Sequence, residues 1–132
     1  MRDIALITTA TYGLEAMQQA LPRDVSSFID QDEQRLVLQD DNIDNFIEIA
    51  RDDSIGDYYE TPEELAALEK LPGTPRFYLV HFKNIERLKR VLRDIANRDD
   101  VIVDNDFGIL EPGAEFVRRC AASPGWDWAK PA

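Results

Sequence analysis

Apolar and polar positions change their spacing several times along the chain, and each change marks an element. In "RDIALITT" the apolar Ile4, Leu6 and Ile7 precede Thr8 and Thr9, which predicts a strand. Over "TYGLEAMQQALP" the spacing lengthens. Leu14, Met17 and Leu21 recur three and four apart, predicting a short helix that Pro22 closes. "VSSFID" and "QRLVLQD" read as two short strands joined by the polar turn "DQDE". "NIDNFIEIARDD" places Ile43, Phe46, Ile47 and Ala50 on one stripe, with Asp41 or Asn42 as N-cap, and a helix is expected there.

The second half repeats this order. "RFYLVHF" is apolar on both faces, as a central strand must be. "NIERLKRVLRDIANRDD" follows with Asn84 as N-cap and a buried stripe of Ile85, Leu88, Val91, Leu92 and Ile95. "VIVDND" and "FGIL" are short strands, and "GAEFVRRCAA" is a helix with Phe116, Val117, Cys120 and Ala121 on one side. The expectation is an α+β fold: a mainly antiparallel sheet with helices packed on it, built from two β-α-β-β-α pseudo-repeats. These span about residues 1–53 and 75–123 of a single 1–132 domain, with a helical connector over 54–74. In the connector, "TPEE" starts a helix: Thr61 is the N-cap, Pro62 follows, and Glu64 completes a capping box. Each half alone would have a very small core, so one continuous sheet is expected.

Charge changes the picture more than composition does. The chain holds 26 Asp and Glu against 15 Lys and Arg, a formal net charge of −11. Residues 1–72 hold 17 acidic and 5 basic side chains, so the excess sits in the first half. A surface this poor in cations argues against nucleic-acid binding through phosphates, and its natural complement is a basic protein. The densest stretch is Asp40–Glu64, with ten carboxylates and one basic residue, Arg51. Two tyrosines lie within it, a composition suited to taking up Arg and Lys. The candidate partner-binding residues are Asp40, Asp41, Asp44, Asp52, Asp53, Asp57, Tyr58, Tyr59 and Glu60. A rival account is that the basic helix face of Lys83, Arg87 and Arg90, with Lys89 and Arg93, neutralises this charge within the molecule.

Candidate chemistry is sparse. Asp104, Asp106 and Glu115 match positions 1, 3 and 12 of a calcium loop. However, Gly108, Ile109 and Pro112 occupy positions where that loop needs a ligand, a glycine and a ligand, and no helix precedes it. A hairpin turn is the expectation and no metal is called for. His81, the only histidine, lies on the strand face of Phe77 and Leu79 with no partner visible in sequence. Cys120 groups with the buried side of its helix. Trp126 and Trp128 are two apart, a tail folded back to seal the core or an aromatic anchor. No cofactor motif is present, and no catalytic set is expected. A small enzyme or ligand-binding protein using His81 or the Asp104/Asp106 turn is the alternative. The absence of any apolar run of about 20 residues argues against a membrane span. With one cysteine and a start, "MRDIALITTATYG", that lacks a signal-peptide pattern, a cytoplasmic location is the default.

The ending "VDNDFGILEPGAEFVRRCAASPGWDW" resembles small bacterial immunity proteins, which neutralise toxins secreted by neighbouring cells. The resemblance implies an inhibitor that docks on a toxin, often a nuclease, and blocks its basic substrate cleft. It carries over no binding residues.

Overall fold

The structure, a computed structural model, describes residues 2–128. Seven strands form one antiparallel sheet: β1 (Arg2–Thr8), β2 (Ser27–Asp30), β3 (Arg35–Leu38), β4 (Ile47–Arg51), β5 (Arg76–Phe82), β6 (Ile102–Asp104) and β7 (Leu110–Pro112). Their spatial order is β2-β3-β4-β5-β1-β6-β7, with every neighbouring pair antiparallel. The four α-helices are α1 (Leu14–Ala20), α2 (Pro62–Glu69), α3 (Ile85–Ile95) and α4 (Gly113–Ala122). The α+β expectation therefore holds. β1 and β5 are the central pair, matched from Arg2 opposite Phe82 to Thr8 opposite Arg76. α1 follows β1 and α3 follows β5, so the middle of the sheet is a split β-α-β arrangement. The β2–β3 hairpin extends it on one side and β7 on the other.

One face of the sheet carries the main core. Ile4 and Leu6 of β1, Tyr78, Val80 and Phe82 of β5, and Ile47 and Ile49 of β4 meet Met17 of α1, Leu88 and Leu92 of α3, and Phe116 of α4. Trp128 seals this core. It is fully buried, edge-on to Phe116 at 4.8 Å between ring centroids, and Trp126 also lies against Phe116. The two tryptophans thus pack inward. α4 starts where Gly113 passes so close to the end of α3 that a Cβ there would lie 1.8 Å from the Ala96 carbonyl.

The opposite face is covered at one end only. There Ile7, Phe77 and Ile102 meet Tyr59, Leu68 and Leu71, brought in by α2 and the 3-10 segment Asp53–Tyr58. The capping box of α2 forms as expected: the Thr61 side chain accepts from the Glu64 N–H, and Glu64 accepts from the Thr61 N–H. Elsewhere this face presents a row across the sheet formed by the opposed residues Phe28, Val37, Glu48, His81 and Asp3.

The first half departs from expectation in its last element. Residues 42–53 do not form a helix. Ile43–Asn45 is one 3-10 turn, capped by Asn42, and Ile47–Arg51 is β4. The first half is therefore β-α-β-β-β, and only the second ends in a helix. The stretch "IEIA" also alternates with period two, and here that alternation prevails. It buries Ile47 and Ile49 on the core face, while Glu48 reaches Arg35 at 2.6 Å on the other. β4 pairs with β3 on one side and β5 on the other, satisfying backbone groups that a helix would leave unpaired. Ile43, which the helical stripe would bury, is 71% exposed.

Candidate functional site

β4 divides the acidic stretch. Asp40, Asp41 and Asp44 lie before it, in the β3–β4 connection, whereas Asp52, Asp53, Asp57, Tyr58, Tyr59 and Glu60 follow it. Five residues of extended chain, about 16 Å, lie between the two groups, which stand at opposite ends of β4. Asp40 serves its own connection: it accepts from the Asn42 N–H and the Asn45 amide. These bonds hold its carboxyl below the usual range, from Asn45 first and Asn42 second, with Arg87 adding a smaller effect.

Of the second group, Asp53, Asp57 and Glu60 do not line a groove, whereas Asp52, Tyr58 and Tyr59 line one of about 560 Å³ on the sheet face away from the main core. Its floor is Ala5 and Leu79, opposed residues on β1 and β5. Asp52 and Tyr58 stand on one wall, Glu64 on another, and Asp3, Asp104 and Asp106 complete the rim. A second hollow of about 460 Å³ continues past Glu64, Asp104 and Asp106 to Glu63 and the β6–β7 turn. Among the described residues no Lys or Arg lines either space. Tyr58 is 80% exposed. Among the described residues Asp52, Glu63, Glu64, Asp104 and Asp106 make no salt bridge.

Tyr59 plays a part other than surface contact. Its ring is buried and stacked on Phe77 at 5.6 Å. Its hydroxyl donates to Asp104 Oδ2 at 2.6 Å, and Asp104 Oδ1 accepts from the Asp106 N–H at 2.8 Å. The Asp104 carboxylate is thereby held in one orientation at the rim. Burial, then the neighbouring Asp104 carboxylate, pushes the Tyr59 phenol far above its ordinary value, so it is a permanent donor. Asp53 is also occupied: it accepts from Arg51 and from the Phe77 N–H. Burial acts to raise its carboxyl, but these bonds prevail and hold it low.

Asp104 and Asp106 sit in a hairpin turn, as expected. Asp106 adopts the left-handed conformation, with φ of 66°. The intervening Asn105 is buried; its side chain accepts from the Phe107 and Ile109 N–H groups and donates to the Trp128 carbonyl. Glu115, the twelfth position of the calcium pattern, pairs with Arg118. Among the described residues no three His, Cys, Asp or Glu side chains are grouped to hold a metal ion.

His81 stands on the groove's face of the sheet, between Glu48 of β4 and Asp3 of β1, with Nδ1 4.0 Å from Asp3 Oδ2. Cys120 lies against the main core, half-buried, and burial raises its thiol above the ordinary value despite the lowering effect of Lys89. Of the basic helix face in the rival account, Arg87 acts on Asp40 of the acidic stretch. Lys89 pairs with Glu86 within α3, and Arg98 pairs with Asp100.

Contiguous reading left four groove residues out of the partner-binding candidates: Asp3 and Glu64, and Asp104 and Asp106, which it named only as the turn of the alternative reading. Strand alternation was the signal available for two of them. It places Asp3 on the face of His81, and Asp104 opposite Ala5. No protein-family model, curated protein or solved structure matches the chain. Among the described residues no helix is long and apolar enough to cross a membrane.

Proposed function

We propose that this protein is an inhibitor of the immunity type, which docks a basic toxin domain, a nuclease being the best chemical fit, and blocks its substrate cleft. The observation that carries the reading is the groove whose rim gathers Asp3, Asp52, Glu64, Asp104 and Asp106 with an exposed tyrosine and, among the described residues, no Lys or Arg. Clefts that bind phosphates are positive, so a carboxylate-lined surface fits them and excludes nucleic acid. Tyr58 supplies an aromatic surface on which an Arg or Lys of the partner can stack. The sites of contact in this reading are the groove rim and its neighbours Asp57 and Glu60. Asp40, Asp41 and Asp44 add long-range attraction from the far end of β4.

The gene beside this one should encode a secreted protein with a basic C-terminal domain. That domain, purified, is the partner to test. The informative variant is Asp3→Asn, Asp52→Asn and Asp106→Asn together. Asn keeps the N-cap that Asp52 gives to Ser54 and tolerates the left-handed backbone at position 106. Three charges are removed with the geometry kept. Association should slow by about tenfold or more at low salt, and its salt dependence should flatten. An acidic neighbouring domain, or unchanged association by the triple variant, would reject this reading.

A further inference from the structure

On the side of the sheet that carries the helices, β4 ends in Arg51 and β5 begins with Arg76. Tyr78 is the cross-strand partner of Arg51, and alternation puts Arg76 on the same face as Tyr78. All three line a pocket of about 200 Å³, apart from the acidic groove, whose remaining wall includes Gly13, Glu15 and Gln31. Two of its polar groups have no protein partner among the described residues. Tyr78 is 1% exposed, and its hydroxyl has no hydrogen-bond partner among the described residues. The hydroxyl oxygen is not among the atoms cut off from solvent, so it is open to a ligand from the pocket. The hydroxyl stands at the pocket wall, 3.6 Å from where a Cβ on Gly13 would lie. Arg76 makes no salt bridge or hydrogen bond among the described residues, although Asp53 feels its charge. Arg51 gives Nε and Nη2 to Asp53, leaving Nη1 free. Glu15, the one carboxylate on the wall, accepts from Gln31 Nε2 at 3.4 Å.

We infer that this pocket binds a small oxyanion, the carboxylate or phosphate group of a small ligand, held by Arg76, Arg51 Nη1 and the Tyr78 hydroxyl. The guanidinium groups supply charge-assisted donors. The hydroxyl adds a donor of fixed position because its ring is locked in the core. The inference is independent of the acidic groove.

The test is a nuclear magnetic resonance titration of the whole chain, at constant ionic strength, with sodium phosphate and separately with sodium acetate. The amides of Gly13, Gln34 and Arg76 should shift and saturate in the millimolar range. Saturation by phosphate alone identifies a tetrahedral group, and by acetate alone a planar one. Saturation by both supports a general oxyanion pocket. Tyr78→Phe should weaken binding about fivefold, the worth of one hydrogen bond. Arg76→Gln should weaken it about tenfold or more. Gly13→Ala, which narrows the pocket without changing charge and meets no steric clash, should also weaken it and decides the matter if Arg76→Gln does not fold. Shifts that stay linear with both salts, or that Arg76→Gln and Gly13→Ala leave unchanged, would overturn the inference.

Discussion

At the scale of single residues, the pair Tyr59 and Asp104 shows how a buried side chain can shape a surface. The ring of Tyr59 belongs to the small second core, and its hydroxyl fixes a carboxylate at the groove rim. Tyr59→Phe keeps the ring and removes the hydrogen bond to a charged acceptor. It should lower stability by about 1.5 kcal/mol, measured by urea unfolding. In the binding assay it should also raise the off-rate, because Asp104 would lose its fixed orientation. Tyr58→Ala should leave stability unchanged within about 0.5 kcal/mol, since that side chain is exposed. A Tyr59→Phe protein as stable as the parent would show that the hydroxyl contributes nothing to the rim.

Among the elements, β4 is the one whose identity most affects function. As a helix, residues 42–53 would present Asp44, Glu48 and Asp52 along one polar side. As a strand they send Glu48 to the open face and place Asp52 at the groove. Two substitutions separate the alternatives. Ile49 lies off the helical stripe of Ile43, Phe46, Ile47 and Ala50, yet it is fully buried in the strand. Ile49→Ala should cost about 2–4 kcal/mol. Ile43→Ser, on the stripe but exposed, should change stability by no more than about 0.5 kcal/mol. Equal losses at both positions would favour the helix.

For the whole molecule, charge sets the behaviour with pH. Four carboxyls are held below their ordinary values: Asp40 by Asn45, Glu64 by the Thr61 N–H, Asp100 by Arg98, and Asp53 by Arg51 and the Phe77 N–H against the opposing effect of burial. A depressed folded-state value means that the folded protein holds its proton less tightly than the unfolded chain does. The stability from these groups is therefore complete above the ordinary values of 3.8 for Asp and 4.5 for Glu, and is lost as pH falls through the lower folded values. The urea midpoint should fall below about pH 4. In Asp53→Asn the fall should be shallower. A midpoint that rises on acidification in that window would mean that relief of net negative repulsion outweighs all four.

Much of this fold is legible in the chain because several local signals agree. Thr61, Pro62 and Glu64 define the start of α2 through contacts three residues apart, and Asn84 with the stripe from Leu88 to Ile95 defines α3. "RFYLVHF" declares a strand inside the sheet, and β5 is central, although its Leu79 and His81 lie on the open part of one face. The excess of negative charge is likewise a property of the chain itself. "NIDNFIEIARDD" satisfies two periods at once, and local physics leaves them nearly equal. The unpaired edges of β3 and β5 decide between them, and those edges exist only after the sheet assembles. The groove is a tertiary product in the same sense. Asp3, Asp52, Glu64 and Asp104 come from positions up to a hundred residues apart, and the antiparallel register of β1 with β5 and β6 brings them to one rim. Composition determined that this protein would be acidic; strand pairing decided which carboxylates face one another and which, like Asp53, are already occupied.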